Sequence, residues 1–233
     1  MKAANNKKPR FLVSITTTKG SNWKDRLEEA KELGIKEVAF FLTTLDFPQR
    51  MEVYRAFFGA GITAPVVHLR HDACTEEISF LIENFRTGIF NVHPEGERPL
   101  LYKKGISKYK KKIYLENSSC LPEEKDLKEW AGLCIDFAHW EDTRKRGLNK
   151  FAEMKYLLSR YPAGFGHISA IKETTHPDEG GLPEDRYDSH TLEKLSDLDY
   201  LKGYPLFWCR YMAMELINGL KDQLEAIKYI QSF

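Results

Sequence analysis

Eight times along the chain, a short run of β-branched or aromatic residues is followed by a charged stretch, and this rhythm limits the fold more than any other feature. The runs are FLVSIT from Phe11, EVAFFL from Glu37, APVVHL from Ala64, GIFNVH from Gly88, KIYLEN from Lys112, LCIDFAH from Leu133, GFGHIS from Gly164 and RYMAMEL from Arg210. Between them, WKDRLEEAKELG places apolar residues at helical spacing and stops at Gly34, and LKDQLEAIKYI does the same near the C-terminal end. Strands that alternate with helices pair in parallel through crossovers. Eight units in 233 residues average about 29 residues each, close to the ~250-residue total of a (β/α)8 barrel. The expectation is a compact α/β fold, a single (β/α)8 TIM barrel over residues 11–233, preceded by a flexible basic tail over 1–10.

The fourth unit breaks the pattern. PEGERPLLYKKGISKYKKK contains Pro94, Pro99 and Gly105 and shows no clear amphipathic helix, so the fourth outer helix is expected to be short or missing. Its six lysines between Lys103 and Lys112 lead into the start of the fifth strand. Strand starts lie on the barrel face opposite the chemistry, so these lysines read as a solvated surface.

Charge narrows the partners. Thirty-five basic and 34 acidic side chains leave a formal +1, so no bulk field draws the chain to nucleic acid or an anionic membrane. The apolar runs are too short to span a bilayer. The opening MKAANNKKPRF lacks the apolar core of an export signal. Cys74, Cys120, Cys134 and Cys209 are widely separated with no CxxC pair, which suits reduced thiols in a cytoplasmic protein.

Barrel enzymes assemble their chemistry at strand C-termini, and there this sequence is rich in ligands. The third strand ends at His68 with His71 beyond it, the fourth at His93 and the fifth at Glu116. The sixth carries Asp136 and His139, the seventh His167, the loop after it Asp188 and His190, and the eighth ends at Glu215. A lone histidine at such a place is usually an ordinary hydrogen-bonded residue, but here six of the seven histidines fall on one rim. Imidazoles and carboxylates with few thiols suit zinc, manganese or iron.

LCIDFAH, LEN, GHIS and the closing MELINGLKDQLEAIKYI resemble the xylose isomerase-like barrel superfamily, which includes sugar isomerases and epimerases and the endonuclease IV group of AP endonucleases. The resemblance spans essentially the whole chain. It implies that Glu116, Asp136, His167 and Glu215 form the single-metal site shared by many epimerases. Further positions resemble the endonuclease IV branch: His68 in HLRH with His71 where that family has tyrosine, His93 in VHPEGE, His139 completing DxxH, and Asp188 with His190 in DSHTL. Leaving His71 aside, these nine fill a multinuclear ligand set. Three departures stand against that branch: Glu95 separates Pro94 from the glycine, 21 residues separate His167 from Asp188, and the chain is short for a DNA-repair enzyme.

Two chemistries therefore remain open. The first expectation is a metal-dependent phosphodiester hydrolase, AP endonuclease-like, holding two or three zinc ions, with Glu116 or Glu215 bridging them and damaged DNA as a possible substrate. The alternative is a single-metal isomerase or epimerase of a sugar or phosphosugar, with Glu116 and Glu215 exchanging a carbon-bound proton. Arg70, His71 and Lys172 are the substrate-binding candidates in either case. Manganese is the alternative metal.

Overall fold

The computed structural model describes residues 8–17, 22–177 and 183–233. Most of the expected basic tail, residues 1–7, lies outside them. The strands are β1 (Arg10–Leu12), β2 (Ser14–Thr16), β3 (Glu37–Phe41), β4 (Thr63–His68), β5 (Ile89–Val92), β6 (Ile113–Glu116), β7 (Leu133–Asp136), β8 (Ala163–Ile168), β9 (Ala170–Pro177), β10 (Asp185–Ser189) and β11 (Tyr211–Met214). The helices are α1 (Trp23–Glu32), α2 (Phe47–Gly59), α3 (Thr75–Phe85), α4 (Lys103–Ile106), α5 (Glu124–Glu129), α6 (Phe137–Lys145), α7 (Lys150–Arg160) and α8 (Leu220–Ile230). No helix among the described residues is long and apolar enough to cross a membrane.

Nine of the strands form one parallel sheet in the order β1-β11-β8-β7-β6-β5-β4-β3-β2. Its two ends, β1 and β2, are halves of the same barrel strand, split at Val13. Arg10 to Leu12 pair with Tyr211 to Ala213 on one side, and Ser14 to Thr16 pair with Ala39 to Phe41 on the other. The sheet therefore closes on itself as an eight-stranded barrel, and all eight expected strands are present.

The split leaves Ser14 without a strand neighbour on the β11 side, and a buried glutamine stands in. Gln223 of α8 accepts from the Ser14 amide at 2.7 Å and donates to the Ser14 carbonyl at 3.2 Å. Its amide also reaches the carbonyls of Leu216 and Asn218. One side chain thus satisfies backbone groups that would otherwise be buried unpaired, and it docks the last helix on the first strand.

Period-two alternation sorts the strands into two cores. Residues facing outward, such as Phe40, Val67, Phe90, Leu115 and Ile135, pack under the helices in one extended cluster. Residues facing inward, Leu12, Ala39, Phe41, Val66, Cys134, Phe165 and Ala213, fill the lower barrel. Two residues further along the strands, the inward positions turn polar: His68 follows Val66, Asp136 follows Cys134, His167 follows Phe165 and Glu215 follows Ala213. Gly164 makes room for this packing, because a Cβ there would lie 2.2 Å from the Tyr114 ring.

Two outer elements depart from the regular pattern. The fourth helix is short, as expected: α4 has four residues and runs into a 3₁₀ turn over Ser107–Lys112. Lys104, Lys108, Lys110, Lys111 and Lys112 are exposed there, and Lys103 pairs with Glu95 at 2.6 Å. After β8, where a helix completes the regular repeat, the chain instead forms an antiparallel hairpin of β9 and β10, followed by 3₁₀ turns over Leu195–Gly203 and Pro205–Phe207. The segment 170–177 carries β-branched residues at Ile171, Thr174 and Thr175, and no helical stripe.

Replacing Gln223 with leucine preserves volume but strands the Ser14 amide and carbonyl. The expected cost is about 2–4 kcal/mol, from more than one unsatisfied buried group. Chemical denaturation measures it; stability equal to the parent protein would show that the barrel closes without this bridge.

Candidate metal centre

All nine ligand candidates lie in one continuous network at the C-terminal mouth of the barrel. His167 sits at its centre and is fully buried. Its Nε2 is 3.2 Å from Glu116, and its Nδ1 is 2.6 Å from Glu215 and 3.4 Å from Asp136. Glu116 extends the network to His68 at 2.9 Å and to His93 at 3.8 Å. Asp136 extends it to His139 at 3.5 Å, and His139 to Asp188 at 3.0 Å. His190 lies 3.7 Å from the second oxygen of Glu215.

Local structure explains the spacings. Asp136 ends β7 and caps α6, its carboxylate accepting from the His139 backbone amide at 2.7 Å. The third residue of the helix then turns its ring back toward the same carboxylate, which is why DxxH is a useful spacing. Asn117 clamps the neighbouring strand end, accepting from the Asp136 amide at 2.8 Å and donating to its carbonyl at 2.9 Å. The gap of 21 residues between His167 and Asp188 closes because the hairpin folds back, setting Asp188 opposite Ile171.

Electrostatics bind the cluster together. Burial pushes the Glu116 carboxyl up, but His167, His68 and His93 outweigh it and hold Glu116 well below the usual carboxylate range. Burial likewise opposes the charge on His167, yet Glu116, Glu215 and Asp136 raise it well above an ordinary imidazole. His139 is raised to about 10, with burial overcome by Asp136 and Asp188. Asp136 is raised, by burial first and by its carboxylate neighbours Glu215 and Glu116. These carboxylates need positive charge, and here imidazolium supplies it.

The donor set also fits a divalent cation. Neither ring nitrogen of His167 makes a hydrogen bond of good geometry, although both lie against carboxylate oxygens. Asp136, His167 and Glu215 can bring three ligand atoms within 4.8 Å of one another, as can His68, His93 and Glu116. Glu116 also forms such groups with Asp136 and His139, and with Cys134 and His167. Among the described residues no such group includes Asp188 or His190. Beside them stands a cation of the chain itself, the Arg186 guanidinium, 3.1 Å from His139 Nδ1 and 4.0 Å from Asp188.

The three substrate candidates lie outside the network. His71 lies with Arg70 in a small pocket bordered by His68 and His93. Arg70 is tied to the Leu45 carbonyl at 3.1 Å and to Asp72 at 3.2 Å. Lys172 is held by Asp197 at 3.2 Å and Glu193 at 3.3 Å.

Four supporting residues escaped the sequence reading. Asn91 donates to Glu116 at 2.6 Å, and Glu97 holds the His93 ring at 2.9 Å. Arg186 stands beside His139, and the buried Cys134, whose thiol burial pushes up to about 12, underlies His167. Asn91 and Cys134 precede a ligand by two residues on the same strand face, so alternation alone could have flagged them. Glu97 and Arg186 lie on loop and hairpin segments, where no periodicity points.

No protein-family model matches the chain, and no curated protein does. Among solved structures, the IOLI protein with a bound zinc atom is 16% identical, with 94% of each chain covered and a TM-score of 0.47. A xylose isomerase-like TIM barrel protein from Mycobacterium smegmatis in complex with magnesium is 13% identical, covering 90% of this chain and 88% of that one, with a TM-score of 0.44. A fusion of a xylose isomerase-like TIM barrel with 4-hydroxyphenylpyruvate dioxygenase is 11% identical with a TM-score of 0.46. The match covers 91% of this chain, which spans only 39% of the fusion's length. These are likenesses of fold alone, and the barrel itself stands on its strand order and register.

Because His167 and His139 hold protons in the ion-free protein, a divalent ion must expel protons as it binds. Zinc affinity should therefore rise with pH between about 6 and 8, and calorimetry in buffers of different ionisation heat should register proton release. An affinity flat across that range would remove the imidazoles from the ligand set.

Proposed function

We propose that this chain is a metal-dependent isomerase or epimerase of a small sugar or sugar phosphate. The observation that carries this reading is the compact group around His167. Glu116 lies at one ring nitrogen and Glu215 at the other, at 3.2 and 2.6 Å. Two carboxylates on opposite sides of one centre are what a proton transfer between the two faces of a carbon requires.

A divalent ion held by Glu116, Asp136, His167 and Glu215 would polarise a carbonyl and its neighbouring hydroxyl, and so acidify the carbon-bound proton between them. One carboxylate accepts that proton, and the other, once protonated by water or by a neighbouring imidazolium, delivers one from its own side, after which the first releases its proton to water. Both are suited to accept, since their histidine neighbours keep them ionised. His68 and His93, whose Nε2 atoms lie 2.9 and 3.8 Å from Glu116, border the same mouth and can bind sugar hydroxyls. Glu97 fixes the orientation of His93, and Asn91 that of Glu116.

A phosphodiester hydrolase is the second reading, and the His68, His93 and Glu116 group favours it as a further ion site. Against a three-ion centre stands the outer corner. Asp188 and His190 join no close ligand group among the described residues, and Arg186 already brings positive charge there. Fewer ions suit the isomerase.

The decisive experiment incubates the zinc- or manganese-loaded protein with a panel of ketoses and ketose phosphates in heavy water. Solvent deuterium should enter a substrate carbon, and Glu215→Gln should slow this by at least about 100-fold. Cleavage of duplex DNA at an abasic site, with no deuterium entering any sugar, would establish the hydrolase instead.

A further inference from the structure

A polar cavity of about 230 Å³ opens beside the centre, and nothing in the chemistry above uses it. One wall is a single face of α6 and its continuation: His139, Asp142, Thr143 and Arg146 recur at helical spacing. Ser118 and Ser119, which follow β6, form a second wall. Lys150 and Arg186 complete it from the start of α7 and from β10. The cavity thus runs from His139, which touches Asp136 of the central group, outward to Lys150.

Its charges do not cancel evenly. Arg146 is matched by Asp142 at 3.3 Å and by Glu184. Arg186 faces Asp188 at 4.0 Å. Lys150 donates to the Ser119 carbonyl, and among the described residues no carboxylate lies within ion-pair distance of its ammonium. Ser118 and Ser119 direct their hydroxyls to Glu97, so the loop that carries the Ser119 carbonyl is itself anchored. A cation held at the end of a polar cavity, with a neutral backbone partner, is placed to receive an anion.

We propose that this cavity is an anion subsite in which Lys150 receives the phosphate of a small sugar phosphate whose reacting carbons lie at His167. This deepens the isomerase reading and rests on it. It also moves the anion site from Arg70 and Lys172, which are paired with carboxylates, to Lys150, which has no carboxylate within ion-pair distance among the described residues.

The test is calorimetric binding of a ketopentose 5-phosphate, the unphosphorylated ketopentose and inorganic phosphate to zinc-loaded and metal-stripped protein. The phosphorylated sugar should bind the loaded protein at least about tenfold more tightly than the free sugar. Lys150→Met should erase most of that preference with zinc content unchanged, and Lys150→Arg should keep it. Inorganic phosphate should still bind the metal-stripped protein. Equal affinity for the two sugars would overturn the proposal, as would phosphate binding that vanishes with the metal and ignores Lys150→Met. Phosphate preference without any deuterium exchange would instead sink the isomerase reading and leave the subsite standing.

Discussion

The mouth of this barrel depends on one electrostatic constraint: three carboxylates, Glu116, Asp136 and Glu215, converge on a single buried imidazole. Two like charges about 4 Å apart repel by about 4 kcal/mol even at an effective dielectric of about 20. Removal from water adds a further penalty for each charge. The arrangement is tolerable only with positive charge at its centre, which His167 supplies as imidazolium and a divalent ion would supply more strongly. The same requirement explains the second ring of partners. His68 shares with His167 one oxygen of Glu116, His93 faces the other, and His139 serves Asp136 and Asp188.

Around that centre, a further set of polar side chains holds the charged groups in place. Asn91 orients Glu116, Asn117 pins the end of β7 that carries Asp136, and Glu97 grips His93 while accepting from two serines. Glu116, Asp136 and His93 thus each rest on a neighbouring side chain. Groups held this way need little reorganisation when a cation or a substrate arrives.

The two irregular outer elements bear on function differently. The short α4 lies on the side of the chain that leads into β6, and its exposed lysines touch none of the ligands. The β9 and β10 hairpin carries Asp188 and Arg186 across the mouth and places His190 just past its end. A helix in that position would pack its residues against the outside of the barrel. The hairpin instead brings a guanidinium to the corner where Asp188 and His139 meet, and this feature sets the centre apart from a site built of ligands alone.

The sequence alone was enough for the barrel and for most of its mouth, because both follow from local rules. Eight apolar runs separated by charged helical stretches admit few alternatives to a parallel closed sheet, and strand ends in such a barrel share one face, so His68, His93, Glu116, Asp136, His167 and Glu215 could be gathered by position. Their division of labour was not local. Whether Asp188 joins a metal group, whether Lys172 is available to a substrate, and which arginine stands at the centre depend on contacts between residues far apart in the chain, such as Lys172 with Asp197 and Arg186 with His139. The hairpin decided these points. Strand and helix periodicities describe a segment's own faces, but the position of a returning arm is set by the barrel surface it packs on. Only the folded chain determines which charges end up close enough to neutralise one another.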